Sequence, residues 1–185
     1  MKELNQNIAN RKTNNHLAGI VPVSGFEVSK CLGDNFFLHP SLARIGDDIL
    51  AIERAVLECN YAGCETIWVV CNENIQPIVR SRLGDYVACL TSLVSSRFAR
   101  FSKTKIKYIP IFYVSIPVTL RDKRDSLGWS ILHGANQSFL VSAKISKWLT
   151  PNKYFVSFPY GLHDPSIISA YKKQISSGKN IIVSH

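Results

Sequence analysis

Acidic side chains are scarce in this chain: 13 Asp and Glu stand against 22 Lys and Arg, a formal net charge of +9 over 185 residues. Uninterrupted apolar runs are short as well. None approaches the roughly 18 residues that a membrane helix requires. The first residues, Met1-Lys2-Glu3-Leu4-Asn5-Gln6-Asn7, carry no apolar core behind the lysine, which excludes a secretory leader there. There is no Walker loop, no dinucleotide-binding glycine fingerprint and no His/Cys cluster at metal-ligand spacing. The five cysteines, Cys31, Cys59, Cys64, Cys71 and Cys89, are odd in number and read as buried reduced thiols. These absences leave a globular protein of no membrane, expected in the cytoplasm. The 46% hydrophobic and 19% charged residues exclude a largely disordered chain.

What is present alternates between two periods. Residues 1–16 hold five asparagines and no apolar periodicity, and read as a flexible arm ahead of one domain over 17–185. Leu17–Val23 is a short apolar run closed by Ser24-Gly25, a buried strand leading into a loop. Residues 26–46 form a long irregular segment. A helix capped by Asp47 or Asp48 runs to about Asn60, with Ile49, Ile52, Ala55, Val56 and Cys59 as its stripe and Gly63 as its left-handed stop. Thr66–Cys71 is β-branched and apolar on both faces, so the segment 17–71 reads as a βαβ unit.

Further helices are expected at Ile75–Leu83, where Pro77 suits a first turn, and over Tyr86–Phe98. Ile106–Val114 is a strand, with Pro110 marking an irregularity or an edge. The basic loop Arg121-Asp122-Lys123-Arg124 feeds a helix over Leu127–Lys144. Trp129, Leu132, Asn136, Phe139, Leu140 and Ala143 share one side of it, as an amphipathic stripe does. Lys153–Phe158 is a fourth strand, Asp164-Pro165 opens a helix closed by Ser177-Gly178, and Asn180–Ser184 begins a fifth strand. Alternating strands and helices imply a three-layer α/β sandwich with a mostly parallel, Rossmann-like sheet.

In such a sheet, ligands bind beyond the carboxyl ends of the strands. Val21–Gly25, Cys71–Asn74 and Ser157–Asp164 all fall there, and Ser126 caps a helix whose N-terminus, preceded by Arg121, Lys123 and Arg124, suits an anion. Val23, Ser24, Gly25, Asn72 and Gly128 are the candidate ligand contacts. Each feature also has a plainer explanation: turn geometry for Gly25 and Gly128, surface ion pairs for Arg121 and Lys123, a helix cap for Asp164, and a packed ring for His133.

The order of segments resembles the sugar-phosphate nucleotidyltransferases. The first loop is similar to Gly19–Gly25, the proline-led segment to Pro40–Gly46, and the helix and next strand to Ile49–Val56 and Ala62–Val70. The helix start facing the nucleotide is similar to Leu127–Ala135, and the strand before the metal ligand to Tyr154–Gly161. The resemblance covers residues 17–185. It implies a nucleoside triphosphate, or a sugar nucleotide and a sugar phosphate, as partners, Mg²⁺ as cofactor, and release of pyrophosphate. Loop placement offers the charges that such chemistry needs: Arg121 and Lys123 as catalytic cations and Asp164 as catalytic and metal-binding carboxylate.

The departures from the pattern are equally specific. Phe26-Glu27 stands where the family carries a triphosphate-binding Arg, Ser41 stands where it carries a catalytic Lys, and Ser157–Gly161 lacks its Asp. Lys30 and Arg44 are further sources of positive charge. The family's later strands are missing after residue 185, so the domain reads as minimal or shortened. Two other functions fit the sequence: an eroded member retained as a binding protein, and a nucleic-acid binder using residues 97–107 with Phe98, Phe101 and Tyr108.

Overall fold

The computed structural model describes residues 16–24, 39–46, 48–90, 92–93, 106–117, 119, 126–145, 149–161, 163–177 and 180–182. The apolar run near the start forms β1 (Leu17–Pro22). A two-residue antiparallel pair, β2 (Arg44–Ile45) and β3 (Ile49–Leu50), precedes α1 (Ala51–Ala62). Then come β4 (Thr66–Asn72), α2 (Gln76–Leu83), β5 (Tyr86–Ala88), β6 (Tyr108–Ile116), α3 (Leu127–Ile145) and β7 (Lys153–Val156). A 3-10 helix over Pro165–Tyr171 leads into α4 (Lys172–Ser176).

The main sheet has the order β5-β6-β4-β1-β7. β1 is parallel to β4 and to β7, and β4 is parallel to β6; β5 alone runs antiparallel. Alternation along each strand divides the core in two. Val21, Ile67, Val69, Ile109 and Ile111 pack with Ile52, Val56 and Cys59 of α1. On the other face, Ala18, Ile20, Trp68, Val70, Val114 and Ile116 form the layer under α3. The expected three-layer α/β sandwich with a mostly parallel sheet is therefore the observed architecture.

Several local expectations change. α1 begins at Ala51, not at an aspartate cap: the Leu50 N–H donates to Glu53 Oε2 at 2.7 Å, while Asp48 is exposed and pairs with Arg44. Gly63 ends α1 at φ 88°, as read from the sequence. Tyr86–Ala88 is an edge strand instead of helix, because tertiary partners capture its backbone. Buried Asn60 donates to Ala88 O at 2.8 Å and accepts the Leu90 N–H at 3.2 Å, and the Cys89 N–H reaches Lys107 O. Pro110 is paired only with this short strand, one residue before the parallel ladder between β4 and β6 begins at Ile111, so its missing N–H breaks no parallel pairing. Residues 180–182 are irregular where a fifth strand was expected. His16 is not part of a loose arm: its ring is buried and its carbonyl accepts from the Asn152 N–H.

The largest departure concerns α3. The side carrying Trp129, Leu132, Phe139 and Leu140 faces solvent, with Trp129 52% and Leu132 61% exposed. Small residues Ser130, Gly134, Ser138 and Ser142 face the sheet instead. A Cβ on Gly134 would lie 2.6 Å from Val70 Cγ2 and 3.2 Å from Ile20 Cγ2, so a ridge of larger side chains does not fit against these strands.

Candidate functional site

The chain leaves β1 for β4 and β6 on one side and reaches β7 on the other, so the direction of winding reverses between β1 and β7. A crevice beyond the carboxyl ends of strands at such a reversal is the default ligand position in an open α/β sheet.

Val23 and Ser24 leave β1 at this edge. The Val23 N–H donates to Val70 O at 2.7 Å, which prolongs the β1–β4 ladder. Buried Ser24 places its Oγ 2.5 Å from Ser130 Oγ, tying the end of β1 to the first turn of α3. Ser126 caps that turn through the Trp129 N–H at 3.4 Å. Asn72 closes β4, and its Oδ1 is buried without a hydrogen-bond partner among the described residues. Gly128 is exposed in the first turn of α3, with open space where a Cβ would stand. Of the candidate contacts, Val23, Ser24, Asn72 and Gly128 thus occupy the expected edge; Gly25 lies outside the described residues, as do Arg121, Lys123 and Lys30.

Asp164 is exposed and caps the 3-10 helix that packs on α1, accepting the Ser166 N–H at 2.9 Å. Those bonds to Ser166 hold its carboxyl below the usual range. No hydrogen bond or ion pair among the described residues links it to Ser24 or Gly128. No group of three or more His, Cys, Asp or Glu among them is placed to hold a metal. The described side chains therefore do not form a resident Mg²⁺ cage.

The wall on the α1 side holds residues that the sequence reading passed over. Arg54 is 2% exposed and Glu58 is also buried, one turn apart on α1. Arg54 Nη1 lies 3.2 Å from Glu58 Oε2, and Nη2 donates to Phe158 O at 2.5 Å. Ser157 Oγ donates to Glu58 Oε2 at 2.6 Å, and His163 Nε2 lies 3.3 Å from Arg54 Nη1 and 3.4 Å from Glu58 Oε1. This network locks the segment after β7 onto α1 beside a cavity of about 520 Å³ lined by Glu58, Phe158, Gly161, His163 and Ile168. The available signal was the i,i+4 Arg54–Glu58 spacing on the same arc as Ala51, Ala55 and Ala62.

Ser41 is fully buried behind His39, whose Nδ1 is 2.8 Å from Ser41 Oγ and accepts the Ser41 N–H. His39 Nε2 is buried without a partner among the described residues. Burial pushes this imidazole from 6.5 down to about 4. The unfolded chain takes up the proton below about pH 6.5 and the folded chain resists it until about 4, so stability is complete above that window and falls as pH drops through it. Burial depresses His16 in the same direction. Urea unfolding from pH 7.5 to 4 is expected to show a loss that His39→Asn, which keeps a cap acceptor, reduces by about 3 kcal/mol. Equal losses in both proteins would contradict the buried neutral ring.

No family model matches the chain, and no curated protein matches it. Among solved structures it is similar to a UTP-bound UGPase from Acinetobacter baumannii, at 19% identity and a TM-score of 0.45, over 85% of this chain and 53% of that one. The chain thus spans about half the length of that structure. At this identity and overlap the likeness assigns no residue of the site.

Proposed function

We propose that this protein binds a nucleoside triphosphate or sugar nucleotide in the crevice beyond β1, β4 and β7. The observation that carries the reading is the reversal of winding between β1 and β7, with Ser24 bonded to Ser130 so that the first turn of α3 lies beside the end of β1. The N–H groups of a helix's first turn favour a phosphate, and Gly128 leaves room for a close approach. Arg121 and Lys123, directly before α3 in sequence, supply positive charge in this reading. Asp164 would be the protein's ligand to a Mg²⁺ accompanying the triphosphate, which would supply neutralisation of the phosphate charge. The reaction class that accompanies the reading is transfer of a nucleoside monophosphate to a sugar phosphate with release of pyrophosphate. The protein's share in such a transfer is positioning and neutralisation of charge.

Calorimetric titration with each NTP and with UDP- and GDP-sugars, with and without Mg²⁺, tests it. The expected result is selective micromolar binding, weakened at least about tenfold by Arg121→Ala, as loss of one charge-assisted contact predicts. Asp164→Ala is expected to remove only the Mg²⁺-dependent part. Absence of binding to every nucleotide would overturn the reading.

A second reading has its own support. Ser41 stands at the position where the resemblance implies a catalytic lysine, and it is buried and bonded to His39. A scaffold retained for binding without turnover accounts for that. Nucleotide binding with no pyrophosphate release in the presence of sugar phosphates would favour it.

A further inference from the structure

We propose that two copies of this chain associate through the outer face of α3, in an antiparallel arrangement about a two-fold axis near Asn136. The face is unusual in what it exposes: Trp129 at 52%, Leu132 at 61%, Phe139 at 49% and Leu140 at 44%. Its positions 129, 132, 136, 139 and 143 alternate in steps of three and four. That 3.5-residue repeat is the seam by which one helix packs against another. The inner side of α3 is already committed to the sheet through Ser130, Gly134, Ser138 and Ser142. Trp129, Leu132, Phe139 and Leu140 belong to neither core cluster of the described residues.

Charge selects the occupant. Between Leu127 and Ile145 the only Lys, Arg, Asp or Glu is Lys144, in a molecule of net charge +9. Two such molecules repel each other, and a neutral face is where they can meet at least electrostatic cost. A strongly charged partner would find no complementary group here. The residues are also self-complementary. Asn136 is the midpoint of the 19-residue helix. Antiparallel pairing about it sets Trp129 opposite the small Ala143 of the second copy and Leu132 opposite the apolar Phe139 and Leu140. Asn136 meets its own copy, and an amide both donates and accepts, as a contact of a group with itself requires.

Area sets the strength. Large side chains of roughly 150–250 Å² that are about half uncovered present on the order of 500 Å² on this face. A pair then buries about 1,000 Å², the lower limit for a specific interface, so the dimer is weak and reversible.

Sedimentation equilibrium of the full chain from 1 to 300 µM, without nucleotide, reads this directly. A mass rising from 20.7 kDa toward twice that value is expected, with a dissociation constant on the order of tens of micromolar. Leu132→Glu and Phe139→Glu should each weaken association at least about 100-fold. Their urea midpoints at low concentration should stay unchanged, since both positions are exposed. Ile78→Glu, on exposed α2, should leave association as it was. A monomer at every concentration overturns the proposal. So does a dimer that persists in both α3 variants, which would place the interface elsewhere. The readout is mass, so failure of nucleotide binding at the crevice leaves it unaffected.

Discussion

Arg54→Ala is expected to lower folding stability by about 3–5 kcal/mol, the usual result of removing one partner from a buried ion pair. Arg54 neutralises Glu58 and also donates to the Phe158 carbonyl, so its loss leaves a buried carboxylate without its cation and removes one hydrogen bond to the segment after β7. Ser157 and His163 remain beside Glu58, but of the two only His163 can carry a positive charge. The double variant Arg54→Met/Glu58→Met removes both charges and retains apolar volume. It should recover most of the loss, because the desolvation cost of the pair disappears with its attraction. Urea unfolding of the three proteins at pH 7.5 measures both effects. A cost under about 1 kcal/mol for Arg54→Ala is the value expected of a solvated pair and would contradict the burial of this one.

The second large effect is at Gly134. In an exposed helix, replacing glycine by alanine stabilises by up to about 1 kcal/mol. At Gly134 the added methyl would stand 2.6 Å from Val70 Cγ2, and the sheet beneath is close-packed. Gly134→Ala should therefore destabilise, by about 1–3 kcal/mol. Gly128, six residues earlier in the same helix, has nothing within 4 Å of its missing Cβ, so Gly128→Ala should be neutral or stabilising. Val70→Ala removes the opposing methyl, and combined with Gly134→Ala it should cost less than the sum of the two single changes. Thermal unfolding of this set resolves the sign at each site. Stabilisation by Gly134→Ala would mean that α3 does not lie as close to β4 as described.

The loops that border the crevice were legible before the fold because they follow from chain order, whereas the reversal between β1 and β7 rests on the strand order of the folded sheet. Apolar β-branched runs separated by helical stripes dictate a parallel sheet, and the ends of its strands must carry the loops at Ser24, Asn72 and Ser157. The Arg54–Glu58 network was not legible. An i,i+4 charge pair looks the same in sequence on a solvated helix face and inside a wall. Its burial is decided by the segment after β7 folding back onto α1.

The composition, the alternation of periods, the left-handed stop at Gly63 and the parallel core strands were determined by the sequence itself, since each follows from local sterics and from the need to bury apolar runs. Three matters were decided by tertiary structure. Tyr86–Ala88 became a strand because Asn60 and the edge of β6 claimed its backbone. Ser41 and His39 went inside. And α3 turned its small residues inward, because a helix can sit close to β1 and β4 only where its side chains are small. Periodicity locates a stripe on a helix, but which side meets the sheet is settled by the fit of the two surfaces.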